Sequence, residues 1–155
     1  MNLKFSIPII PRAQARARST YNHKIGRVVV YPDKKQRQAE ENLCALLLPY
    51  RPETPLDGPL VLTVFAYMPI ARSWPKKRQD DAVHGRERPT GIPDLDNLVK
   101  HVKDCMTNVG FWRDDKQVVR LMAAKHYSLC PCWYIELEHE RPYPNGITIK
   151  EACNE

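Results

Sequence analysis

The stretch from Leu95 to Gly110 constrains this chain more than any other. Apolar side chains recur at Leu95, Leu98, Val99, Val102, Met106 and Val109, a spacing that lines one face of a helix through about four turns. Gly110 follows directly, where a helix that has to reverse direction takes glycine as its C-cap. A helix with one apolar stripe must bury it against a second layer, so the rest of the chain has to supply that layer.

Strand signals lie on both sides. Residues 3–10, LKFSIPII, are apolar and β-prone and predict a first strand that leads, past Pro11, into a basic loop, RAQARARS. RVVVYP at 27–32 reads as a short strand or a hairpin arm. PLVLTVFAYMP at 59–69 is β-branched and aromatic, with a length suited to a central strand. VVRLMAAKHYS and WYIELEH, separated by the CPC break, read as an antiparallel closing pair.

A second helix follows Pro32, where Ala39, Leu43, Leu46 and Leu47 fall at helical spacing and Asp33 is placed to cap the start. Pro49, Pro52 and Pro55 end it, and residues 49–59 read as a linker. Residues 70–93 contain Pro75, Pro89, Pro93 and mixed charge without period, which predicts a long surface loop. The order β-α-β-α-β-β describes one α/β (α+β) domain over residues 1–140, a mixed β-sheet with helices packed on it, and a tail at 141–155. A chain of 155 residues, 43 % hydrophobic, can bury such a core without disulfides or structural metal.

Composition narrows the partners. The formal charge of +6 favours polyanions. The cations are unevenly placed: Arg12, Arg16, Arg18, Lys24, Arg27, Lys34, Lys35 and Arg37 face a single acid, Asp33, within residues 11–37. Arg12, Arg16 and Arg18 fit phosphate contact, with Tyr21 and Tyr31 nearby for stacking, or are simply a solvated face. Trp74 with Lys76, Lys77 and Arg78 is either a DNA-engaging element on a flexible loop or surface solubility. Five cysteines, an odd number without framework spacing, exclude a disulfide-stapled secreted domain and fit a reducing compartment. No run approaches the roughly 20 apolar residues of a membrane span, and FSIPII is too short for a signal sequence, so a soluble, cytoplasmic protein is expected.

The chemistry concentrates in PDLDNLVK. Asp94 and Asp96 stand one residue apart at a helix start, where an extended backbone sends alternate side chains to one side. Paired carboxylates are how proteins hold Mg²⁺ beside substrate phosphate. The plainer alternative is that one Asp caps the helix and the other answers its dipole. Lys100, four residues after Asp96, shares its face, to act at the site or to form a surface ion pair. Asp114 and Asp115 follow FWR and precede a strand. Alternation along an extended chain would put Asp115 in phase with Val119, Leu121 and Ala123 and aim it inward beside Asp94 and Asp96, unless the turn breaks that alternation.

The stretch DLDNLVKHVKDCMTNVGFWRDDKQVV, residues 94–119, resembles the signature of the RusA-type Holliday junction resolvases, endonucleases of bacteria and their prophages. It carries the DLDN acids, the lysine four positions after the second acid, and GFW followed by DD. Weaker similarity extends to the first strand, its arginine-rich turn, YPDKKQRQAEE and PLVLTVFAYMP. The resemblance implies a homodimeric α/β fold and Mg²⁺-dependent nicking of paired strands across a four-way DNA junction, in recombination and repair. It implies metal-binding catalytic acids at Asp94, Asp96 and Asp115, with Lys100 beside them. Pro93 stands where some members carry a basic residue, and the 70–92 segment and tail are longer than minimal members need. Two other classes are compatible with the residues: a DNA-binding protein whose acids are only caps, and a Mg²⁺-dependent nucleotide phosphohydrolase.

Overall fold

Alternation of side chains across a pleated sheet builds the core. In the computed structural model, which describes residues 2–13, 18–31 and 34–141, β1 (Asn2–Ile7), β4 (Leu60–Pro69), β5 (Val118–Ser128) and β6 (Cys132–His139) form a four-stranded mixed sheet in the order β1-β6-β4-β5. Buried residues meet in rows across it: Ile7, Trp133 and Ala66 in one, Phe5, Ile135 and Val64 in the next, then Leu137 and Leu62. Strand partners side by side share a face. These rows therefore form one apolar face, and α1 (Lys34–Leu47) and α3 (Leu95–Val109) join the same core through Leu43, Leu47, Leu98, Val102, Cys105 and Met106.

Helix α3 ends as its glycine predicts. Gly110 is left-handed (φ 90°), and its N–H donates to the carbonyls of Met106 and Thr107, both at 3.0 Å. The reversal drives Phe111 and Trp112 into the core, where the Trp112 indole N–H donates to Thr107 Oγ1 at 2.7 Å. His101 on α3 is also buried, and burial holds its imidazole below the usual histidine range.

The structure departs from the sequence reading in three places. The basic stretch after β1 is not all loop: Arg18–Asn22 (β2) pairs antiparallel with Arg27–Tyr31 (β3), a hairpin reversed near Gly26 (φ 64°). The 70–93 segment contains a helix, Lys76–Val83 (α2), that has no apolar stripe and buries only Ala82. It is held by ion pairs instead, Arg86 to Asp80 and Asp81 and Arg78 to Glu87. Finally, β5 and β6 are not partners. The α3 crossover delivers β5 parallel to β4, and β6 pairs antiparallel on the other side of β4. The short CPC break passes the end of β4 rather than closing a hairpin.

Asp33, Arg16 and residues 142–155 lie outside the described residues. No helix among the described residues is long and apolar enough to cross a membrane. Cys44, Cys105, Cys130 and Cys132 are free thiols, and of the CPC pair Cys130 is exposed and Cys132 half-buried.

Candidate active site

Asp94 occupies the N-cap position of α3 with extended backbone (φ −69°, ψ 146°), and its carbonyl accepts from the Leu98 N–H at 3.1 Å. Its carboxylate makes no capping hydrogen bond. Asp96 follows in the first turn, and both acids are exposed, with no ion pair or hydrogen bond to their carboxylates among the described residues. The capping alternative would use up one carboxylate, and here neither is used. Lys100 is exposed one turn further on, and the Asp96–Lys100 surface pair is not formed. The site thus has two unspent oxygen donors at the positive end of a helix, with Lys100 exposed one turn further along it.

The segment before Asp94 is tethered. Lys125, in the middle of β5, pairs in register with Ala66 and so shares the core face; its Nζ donates to the carbonyls of Gly91 at 2.9 Å and Pro93 at 2.8 Å. A single ammonium therefore fixes the backbone leading into Asp94 to the sheet. The signal for it was present in the sequence: a lone cation in phase with Leu121 and Ala123, where an apolar side chain is expected.

The second acidic pair divides its labour. Residues Asp115–Gln117 form a 3₁₀ turn rather than the extended lead-in assumed from alternation. Asp114 is its N-cap: the carboxylate accepts the Lys116 N–H at 3.0 Å, pairs with Lys116 Nζ at 3.0 Å, and is held below the usual carboxylate range chiefly by that backbone bond. Gln117 completes the capping box, accepting from the N–H groups of Arg113 and Asp114, while its amide donates to the carbonyls of Leu56 and Gly58. Asp115 is free of capping and pairs instead with Lys103 Nζ of α3 at 3.0 Å. Among the described residues, no three Asp, Glu, His or Cys side chains gather into a metal-binding group. Asp94 and Asp96 share one helix start, whereas Asp115 is turned to Lys103 further along α3.

The expected DNA contacts are spread over the surface. Arg12 is exposed at the rim of a hollow that it lines with Gln38, Asn42 and His101. Arg18 opens β2. Lys76 and Lys77 are exposed at the start of α2, with no ion pair among the described residues, whereas Arg78 is engaged by Glu87 at 2.7 Å and lies 3.7 Å over the Trp74 ring.

Two unspent carboxylates at a helix start are oxygen donors of the kind that hold a divalent cation beside a phosphate. A family model described as Endodeoxyribonuclease RusA matches residues 8–138, and the chain belongs to that family of endodeoxyribonucleases. It is 35 % identical over 128 residues to the uncharacterized protein YqaN of Bacillus subtilis (strain 168), covering 81 % of this chain and 88 % of that one. A shorter match, 50 % identical over 36 residues, is to the crossover junction endodeoxyribonuclease rusA of Lactococcus phage r1t, covering 23 % of this chain and 28 % of the phage protein.

Proposed function

We propose that this endodeoxyribonuclease nicks paired strands of four-way DNA junctions in a Mg²⁺-dependent reaction, with Asp94, Asp96 and Asp115 as metal ligands and Lys100 beside them. The observation that carries this reading is the state of the carboxylates. Asp94 and Asp96 stand at the start of α3 without structural employment, and Asp114 takes the capping role that would otherwise occupy Asp115. Asp94 and Asp96 are a hard oxygen donor pair, which suits Mg²⁺; Asp115 is paired with Lys103 in this structure and would have to leave that pair to join them. When bound, the cation supplies Lewis acidity and neutralises charge on the scissile phosphate. The chain's own part would be to hold Asp94 and Asp96 on a helix start tethered through Lys125, with Asp115 in the turn beyond the same helix, and to offer the Lys100 ammonium to charge that builds on the phosphoryl oxygens. A water oxygen attacks phosphorus and gives up a proton to solvent, the bond from phosphorus to the leaving oxygen breaks, and that oxygen takes a proton from solvent. The reading is tested by incubating the protein with a synthetic four-way junction and with a linear duplex of the same sequence, in Mg²⁺ and in EDTA.

Arg12, Arg16 and Arg18 are assigned to phosphates outside the cutting site, and Lys76 and Lys77 likewise, with Arg78 bracing Trp74. The triple variant Arg12→Ala/Arg16→Ala/Arg18→Ala is expected to bind junctions more weakly whatever their sequence. Its plot of log affinity against log salt should flatten by about 0.9 for each phosphate that an arginine no longer neutralises. An unchanged slope would mean that the arm is only solvated.

A four-way junction presents two equivalent strands, which a C2 homodimer matches with one site per subunit. The open edge of the sheet supports this, since Val119, Leu121 and Met122 on β5 are exposed and apolar. Light scattering at micromolar concentration should give about twice the 18.0 kDa chain mass. A mass that stays at one chain with junction DNA added would exclude the dimer.

A further inference from the structure

We propose that the hollow between Trp74, Tyr127 and the 91–93 segment takes up one unstacked nucleobase of the strand being cut, with Ile92 as the apolar wedge that displaces it. The proposal rests on the reading of the chain as a junction nuclease acting at Asp94 and Asp96. It adds a base-binding subsite to that site.

The first observation is Ile92. It is 92 % exposed and stands two residues before Asp94. Single exposed apolar residues are ordinary. This one sits between the two carbonyls that Lys125 holds, so the backbone bearing it is fixed rather than loose. An apolar side chain presented on a fixed backbone beside a phosphodiester-cutting site has the form of the wedges that DNA-bending proteins insert between base steps.

The second observation is the space behind it. A cavity of about 240 Å³ is lined by Met68, Trp74, Pro89, Ile92, Lys125 and Tyr127, among others. That is smaller than the roughly 300–1,000 Å³ of pockets for drug-sized ligands, and suits a single ring system. Its aromatic walls meet edge to face, with ring centroids 5.2 Å apart at 81°. The Arg78 guanidinium lies 3.7 Å over the Trp74 ring, and Glu87 holds it in turn. A flat apolar ligand gains from such preset walls without having to order them.

The third is polarity. An ammonium has three donors, and Lys125 spends two on Gly91 and Pro93, which leaves one N–H in the cavity lining for an acceptor such as a base carbonyl or ring nitrogen. Arg72, Lys76, Lys77 and Arg88 are exposed on the segments that frame the cavity and match the charge of the flanking phosphates. Extrusion costs least for a base that has lost a pairing or stacking neighbour, as one at an opened branch point does.

The test is a set of double-mutant cycles between protein and DNA. Affinity is measured in Ca²⁺, to keep the DNA intact, for the parent, Ile92→Ala and Trp74→Leu. The ligands are junctions in which the base at successive positions around the cut site is removed one at a time. At one position, loss of the base should weaken the parent roughly tenfold and each variant hardly at all, because side chain and base then act as one unit. Trp74→Phe should restore the dependence. Ile92→Ala, which removes an exposed side chain only, keeps the test valid if Trp74→Leu proves unstable. Additive effects at every position, with a parent that binds and cuts junctions, would overturn the subsite while leaving the nuclease reading intact. A parent that neither binds nor cuts junctions would overturn both.

Discussion

Asparagine at position 115 should abolish Mg²⁺-dependent junction cleavage, whereas asparagine at position 114 should leave it near the parent rate. The two acids are adjacent, but the structure gives them different employment. Asp114 caps the 3₁₀ turn, and asparagine caps about as well as aspartate, so Asp114→Asn keeps the turn and removes only an exposed pair with Lys116. Asp115 makes no cap, and its carboxylate is the one assigned to metal. Losing a ligand that supports several kcal/mol of transition-state charge corresponds to about a thousandfold or more in rate. Asp115→Asn also removes the Lys103 pair, so matched thermal melts must accompany the rates. Cleavage that survives in Asp115→Asn and disappears in Asp114→Asn would reverse the assignment. One pH effect separates them further. The Asp114 carboxyl is held below its ordinary range, chiefly by the Lys116 N–H, so its contribution to stability is present above the unfolded value and fades as pH falls through the folded one.

The Asp96→Asn protein should bind a four-way junction at least as tightly as the parent and cut it about a thousandfold more slowly or not at all. The amide keeps the shape of the carboxylate while removing a hard anionic donor, and it also removes a negative charge from the surface proposed to meet the DNA backbone. Because the carboxylate has no partner among the described residues, the substitution breaks no interaction of the fold, and unchanged melting is part of the expectation. Full Mg²⁺-dependent nicking by Asp96→Asn would remove it from the ligand set.

Where local chemistry decided the structure, the sequence was readable. The apolar period of α3, its glycine stop and the β-branched run of β4 are each determined within a few residues, and they stand where the spacing puts them. Asp94 and Asp96 were legible as a pair for the same reason. What escaped depends on distant partners. Helix α2 has no stripe to read, and its stability lies in ion pairs closed by Arg86 and Glu87 after the helix ends. The place of β5 depends on the path of α3, whereas the short CPC break points to a hairpin. The preference for Asp115 over Asp114 came from strand alternation and from the family resemblance; the 3₁₀ turn removes the first, and the cap on Asp114 is the difference the structure shows between the two acids. Gln117 gave no signal, since its four bonds go to backbone groups in two separate segments.

The most direct measurement is the cleavage of a synthetic four-way junction and of a linear duplex of the same sequence by the unaltered protein, resolved strand by strand, with Mg²⁺ and with EDTA. The carboxylates at the start of α3 predict paired nicks in opposing strands of the junction in Mg²⁺, none in EDTA, and little cutting of the duplex. Equal cutting of duplex and junction, or nicking that persists in EDTA, would contradict the account.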